Sequence, residues 1–275
     1  MGWSRCATGS LRRTEDSFPI SFSSRRDENS LQITPINTHK ITPQDSSLAR
    51  LLDQYVTAIP ERSILAVTSK IVSLCEGRVV KNDGVDENDL VARESDRFLP
   101  PGKYGFSLTL NNNILIPNAG IDQSNSDGGF ILWPEDAQQS ANKAREHLTT
   151  RFDLREFGVI ITDSKTSPLR WGTTGIATAH SGFSALNSYV GKPDIFGAPM
   201  RVTRANIMDG LAASAVLVMG EGSEQTPMAL IQDLPSIQFQ SRNPTQDELD
   251  ELQIAMEDDL YAPLLTSVDW LTARR

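Results

Sequence analysis

The chain has 275 residues, a formal net charge of −9 and 39% hydrophobic residues, enough to bury a sizeable core in one large domain or two smaller ones. The acidic balance excludes a nucleic-acid surface, which needs a basic footprint, but leaves nucleotides open because a metal ion can neutralise phosphate. No apolar run approaches the roughly 18 residues of a membrane span, and the two cysteines, Cys6 and Cys75, suggest neither a disulfide framework nor a zinc site, as expected of a cytoplasmic protein.

Residues 1–29 are rich in Ser and Arg, lack a sustained apolar period and read as a disordered leader. Residues 31–41 alternate apolar and polar and read as a strand broken at Pro35. A helix follows, with Leu48, Leu51, Leu52, Tyr55 and Val56 on one face. Residues 64–67 form a buried strand with a polar end at Thr68, Ser69 and Lys70, after which Ile71 and Val72 resume the apolar pattern. Residues 82–89 are an acidic surface segment, 99–102 a loop and 104–110 a strand. The run Ile114, Leu115, Ile116 is another buried strand, ended by Pro117 and Asn118 and turned through Gly120. Residues 126–129 form a flexible loop, 130–133 a short strand, and 138–149 a helix with Ala141, Ala144 and Leu148 on one side. Residues 157–161 make a further buried strand that ends in polar residues from Thr162 to Thr166. Residues 168–183 are dense in Gly, Thr and Ser and read as a loop. Residues 206–219 form an Ala-rich helix stopped by Gly220. Residues 228–231 form a short strand, and 241–275 a helical extension in which Thr245 and Glu248 make a capping box. Strands and helices mix without a βαβ beat, which predicts an α+β or mixed α/β fold and not a doubly wound sheet.

Several familiar sites are absent: there is no GxxxxGK[ST], no GxGxxG after a strand, no HExxH and no paired CxxC. His39, His147 and His180 lie far apart with no triad signature, His147 reads as an exposed helix residue, and Cys75 reads as a packed small side chain. What recurs is a buried strand ending in acid and hydroxyl residues, at Thr68-Ser69-Lys70, at Asp122 to Asn125 and at Asp163-Ser164-Lys165. A fourth acid, Glu221, stands between Gly220 and Gly222. Each corner alone is equally a turn or a solvated cap. Three acids on three such corners point to a divalent ion, magnesium or manganese, bridging polyphosphate, with Asp122, Asp163 and Glu221 as ligands. Of the nearby cations, Lys165 and Arg170 lie in a polar stretch and are the candidates for neutralising charge on phosphate oxygens. Lys70 and Arg78 read as half-buried ion-pair partners.

Five blocks resemble one family: SILAVTSKIVSLCEGR, IPNAGIDQSN, GVIITDSKTSPLRWG, the DIFG with the helix after it, and VMGEG. They are similar, over roughly residues 31–240, to the coenzyme F-420:L-glutamate ligases, also called F-420-0:γ-glutamyl ligases. The resemblance implies that residues 30–240 are a γ-glutamyl ligase domain with the family's own mixed α/β fold, working as a homodimer. It implies that a nucleotide, GTP or ATP, and Mg2+ or Mn2+ activate an acceptor carboxylate as an acyl phosphate, which L-glutamate then attacks. It assigns metal ligation to Asp122, Asp163, Ser164 and Glu221. It assigns nucleotide contacts to Thr38, His39, Lys40, Ile41, Ser69, Lys70, Asn125, Met219, Gly220 and Gly222. Lys165 and Arg170 would then stabilise the acyl phosphate. The chain departs from the family at Leu74, where a Lys is frequent, at Asp209-Gly210, where an Asp-Glu pair is usual, and at Ser164, which keeps a Thr hydroxyl. TDSKTSPLRWGTTG and EGSEQTPMALI look more like a bacterial branch linked to folate metabolism, so the acceptor is a folate or an F-420 precursor. Leu74 and Gly210 also suggest a second reading, a non-catalytic nucleotide- or metal-binding homologue; a metal-dependent phosphohydrolase is a third.

Overall fold

The computed structural model describes residues 30–234 and 236–273, so the leader expected over 1–29 lies outside the described residues. In chain order the first elements are β1 (Gln32–Ile36), α1 (Leu48–Tyr55), β2 (Ser63–Thr68), α2 (Ser69–Glu76), β3 (Val79–Lys81), α3 (Glu87–Glu94), β4 (Arg97–Phe98), β5 (Leu108–Asn111) and β6 (Ile114–Pro117). A single 3-10 turn over Asn118–Gly120 leads to β7 (Gly129–Ile131), α4 (Ala137–Phe152), β8 (Phe157–Thr166), β9 (Thr173–Ser181), β10 (Leu186–Ser188), β11 (Arg204–Asn206), α5 (Ile207–Met219), β12 (Met228–Gln232), α6 (Gln246–Asp250) and α7 (Ala262–Leu265).

The main sheet has five strands in the order β1-β12-β2-β8-β9. Only β2 and β8 are parallel; the other three pairings are antiparallel. Alternation along β2 sends Leu65 and Val67 to one face and Ile64 and Ala66 to the other. On the first face they meet Leu52 of α1, Ile71 and Val72 of α2 and Leu148 of α4. On the second they meet Leu211, Ala212 and Ala215 of α5. Both faces are covered, so β2 and β8 read as unbroken apolar runs in the sequence. Each fully buried Ile or Leu contributes about 1.5–3 kcal/mol of transfer free energy, which makes this two-faced core the rigid base of the molecule. The fold is mixed α/β without a doubly wound order. No described helix is long and apolar enough to cross a membrane.

Several expected boundaries differ. Pro35 does not break β1: the strand is at the sheet edge and pairs only with β12, so a missing N–H costs no ladder bond on its open side. Ser69 and Lys70 do not form a polar strand end but begin α2, which Gly77 closes in the left-handed region at φ 72°. The acidic segment expected over 82–89 runs into a helix, α3, whose start is capped by the Asp86 side chain. The largest correction concerns residues 168–183, expected as a loop. They hold the nine-residue strand β9, paired antiparallel with β8. Gly175 sits in β9 because α5 crosses it: a Cβ there would lie 2.5 Å from the Ala212 carbonyl oxygen and 2.8 Å from Val216 Cβ. The glycine marks a close helix–strand approach, not a turn. The capping box of Thr245 and Glu248 forms as expected at the start of α6.

Candidate active site

β2 and β8 lie side by side with Thr68 opposite Thr162, so their C-terminal ends reach the same sheet edge. Ligand crevices of α/β sheets form at that edge. β12 runs antiparallel to β2, so the loop over 220–227 arrives at the same place. Between these ends and the 38–41 and 116–125 segments lies a cavity of about 570 Å³. Thr68 makes no side-chain cap on α2, and the first turn of that helix, Ser69, Lys70 and Ile71, lines the cavity. Uncapped N–H groups at a helix start suit an anion.

The cavity gathers acids from three elements. Asp163 comes from β8, one residue past a bulge between Ile161 and Thr162 that re-aims the strand. Its Oδ1 accepts the Ser164 N–H at 2.7 Å, and its Oδ2 accepts the Ser69 hydroxyl at 2.8 Å and the Trp133 indole N–H. Those partners are all neutral. Burial pushes the Asp163 carboxyl above the ordinary range and the nearby Asp122 charge adds to it, against the pull of the three donors. Asp122 follows the turn at Gly120, and its backbone exchanges hydrogen bonds with Ile131 at 3.0 and 2.8 Å. Burial would raise its carboxyl too, but the Lys70 ammonium at 2.6 Å, with the Ser124 N–H at 2.6 Å and hydroxyl at 2.9 Å, holds it below the ordinary range. Glu221, just past α5, takes the hydroxyls of Ser164 at 2.6 Å and Thr173 at 3.4 Å.

Two segments are tied to the 220–227 loop. The Thr38 N–H donates to the Gln225 carbonyl at 2.9 Å, and the Asn125 amide donates to the Gly222 carbonyl at 3.3 Å. His39 is pinned between Asp45 at 2.9 Å and the Tyr55 hydroxyl at 2.5 Å.

A sequence model of the F420-0:Gamma-glutamyl ligase family matches residues 35–233. The chain belongs to this family. Among relatives, the coenzyme F420:L-glutamate ligase of Methanopyrus kandleri is 28% identical over 222 residues, 74% of this chain and 87% of that protein. The enzymes of that name from Archaeoglobus fulgidus and Methanothermobacter thermautotrophicus are 29% and 31% identical, covering 74% and 67% of this chain and 88% and 77% of their own lengths.

Most of the residues that the γ-glutamyl ligase resemblance singles out line this one cavity. Thr38, His39, Lys40, Ile41, Ser69, Lys70 and Asn125 do, as do Met219, Gly220 and Gly222, together with Asp122, Asp163, Ser164 and Glu221. Lys165 and Arg170 do not. β8 continues to Thr166, and Lys165 is outside the lining although its neighbours Ser164 and Thr166 belong to it. Arg170 lies on an exposed turn beyond the strand. Two lysines line the cavity, Lys40 and Lys70, and of these Lys70 pairs with Asp122. Arg78 lies outside the lining and pairs with Glu94. His147 pairs with Asp53 at 2.8 Å. Burial, with help from the Asp45 and Glu76 charges, pushes the Cys75 thiol up to about 12, which disfavours the thiolate.

The sequence reading missed Trp133 and Thr173. Trp133 is 6% exposed, and its N–H reaches Asp163. A buried indole needs an acceptor, and that need was the available signal. Thr173 was hidden by reading β9 as a loop.

Among the described residues no three His, Cys, Asp or Glu side chains close around one point tightly enough to hold an ion alone. The donors nevertheless fit a hard cation. All of them are oxygen, Asp163 is a desolvated carboxylate with only neutral partners, and Glu221 is met by hydroxyls. Such sites rely on substrate phosphates and water for the remaining coordination.

Proposed function

We propose that the protein is a nucleotide- and metal-dependent γ-glutamyl ligase that joins L-glutamate to the carboxylate of an F-420 precursor or a folate. The observation that carries the reading is the convergence of Asp122, Asp163 and Glu221 with Lys70 in a single cavity of a chain that belongs to the γ-glutamyl ligase family. Amide formation from a free carboxylate is uphill in water. The terminal phosphoryl group of the nucleotide therefore passes to an acceptor carboxylate oxygen, releasing the nucleoside diphosphate. The glutamate nitrogen then attacks the acyl carbon, loses a proton and expels inorganic phosphate.

Asp122, Asp163, Ser164 and Glu221 would hold Mg2+ or Mn2+, which when bound neutralises phosphate charge. The protein's own contributions are positional and electrostatic. The 38–41 and 219–222 segments enclose the nucleotide. The α2 start offers N–H groups to phosphate oxygens. Lys70, held at the cavity wall by Asp122 and Ser124, presents a cation to the oxygens that gain charge in phosphoryl transfer. That role replaces the one expected of Lys165 and Arg170. A homodimer, the assembly expected from the resemblance, would cover part of the exposed apolar surface at Ile195, Phe196 and Val202.

Purified protein with GTP or ATP, Mn2+, glutamate and acceptor should release phosphate only when all four are present. Hydroxylamine in place of glutamate should trap the acyl phosphate as a hydroxamate. Phosphate release that ignores both acceptor and glutamate would mark a phosphohydrolase and overturn the reading.

A further inference from the structure

We propose that Trp133 is a positioning residue for the Asp163 carboxylate, and that position 120 is glycine so that the indole can reach it. The inference rests on the reading of Asp163 as a cation ligand. A Cβ at Gly120 would lie 2.1 Å from Trp133 Nε1 and 2.3 Å from Cε2, closer than any real contact. The backbone there also has φ +77°, which glycine adopts without penalty. The indole thus lies flush on the turn that leads to Asp122, with its N–H on Asp163 Oδ2.

An ionised carboxylate offers about four lone-pair sites. Oδ2 takes two donors, Trp133 and the Ser69 hydroxyl at 2.8 Å, and Oδ1 takes one, the Ser164 N–H at 2.7 Å. The indole therefore completes Oδ2, fixes the rotation of the carboxylate and leaves the open acceptor site on Oδ1. Trp133 is itself held: its carbonyl accepts Arg78 Nε at 3.0 Å, and the Leu132 N–H donates to the Arg78 carbonyl at 3.0 Å. The same stretch pins the Asp122 backbone through Ile131. Residues 129–133 thus set the positions of two acids at once, one through the backbone and one through an indole.

Partners that orient a metal-bound side chain are worth roughly 10–100-fold in metal affinity. The test is calorimetric Mn2+ titration of the full chain in the presence of a non-hydrolysable GTP analogue, with the Mn2+–nucleotide heat subtracted and a melting curve for each protein. Wild type is compared with Trp133→Phe and with Trp133→benzothienylalanine, which keeps the shape of the indole and replaces its N–H by sulfur. Both variants should bind Mn2+ roughly 10–100-fold more weakly, and the benzothienyl protein should melt within a few degrees of wild type. Gly120→Ala, which pushes the ring aside without touching the donor, should weaken Mn2+ binding in the same direction. A benzothienyl variant that binds Mn2+ as tightly as wild type overturns the positioning role, whatever happens to its melting temperature. A wild type that binds no Mn2+ overturns the cation reading itself, so the two failures are distinct.

Discussion

Asp122 and Asp163 face one cavity and are held by opposite means. Asp122 is half-exposed and paired with the Lys70 ammonium, which keeps its carboxyl below the ordinary range. Asp163, half-buried at the cavity wall, has neutral donors only among the described residues, and burial pushes its carboxyl up. A buried carboxylate without a cation costs folding free energy. Asp122 is satisfied within the chain, whereas Asp163 lacks a charge partner that a bound cation would supply. Strain of this kind at a functional site is a common trade of stability for activity.

The largest effect should come from Asp163→Asn. Ligation should fall by about 10³-fold or more, while the melting temperature stays level or rises because a desolvated charge is gone. A calorimetric scan beside a phosphate-release assay checks both halves, and a strongly destabilised but active variant would contradict the roles given to Asp163. Lys70→Met should come next. We expect a loss of about 10²-fold in kcat with KM for glutamate little changed. Its pair with Asp122 is partly exposed, so stability should change by no more than about 1 kcal/mol.

His180 is a desolvated group away from the cavity. It is 2% exposed and stacked edge-on against Phe183, and its Nδ1 has no hydrogen-bond partner among the described residues. Burial lowers its pKa from 6.5 to about 4, against a small opposing pull from Glu248. Between those values the unfolded chain binds the proton and the folded chain does not, so this contribution to stability falls as pH drops through that window and is flat above it. Urea unfolding at pH 4.5 and 7.5 should differ between wild type and His180→Leu by about 2–3 kcal/mol, with the variant less sensitive to acid. The smallest effect belongs to Thr245→Ala, which removes the α6 capping box. It should cost about 1 kcal/mol and leave turnover unchanged.

The cavity acids were legible in the sequence because Asp122 and Asp163 follow short buried runs and Glu221 stands between two glycines past an Ala-rich helix. Lys165 stands outside the cavity because β8 runs on past it, and Arg170 lies beyond the strand on an exposed turn. Thr162 looked like the end of a strand, but β8 passes through the bulge and extends to Thr166 against β9. β9 itself was illegible because its glycine and threonines satisfy tertiary needs: Gly175 admits α5, and Thr173 meets Glu221. The helix α3 was missed because its sequence is mostly polar and only Leu90 and Val91 are buried. Trp133 shows the limit of pattern reading. Its apolar neighbours predict a strand, and nothing local to residues 130–133 reveals that its N–H meets an acid 30 residues away.

The most direct test of the account is the mass of the acceptor after incubation with nucleotide, Mn2+ and glutamate. The acceptor should gain one or more glutamyl residues through an amide bond with wild type, and none with Asp163→Asn. Unchanged acceptor mass with wild type across F-420 precursors and folates, or full conversion by Asp163→Asn, would contradict it.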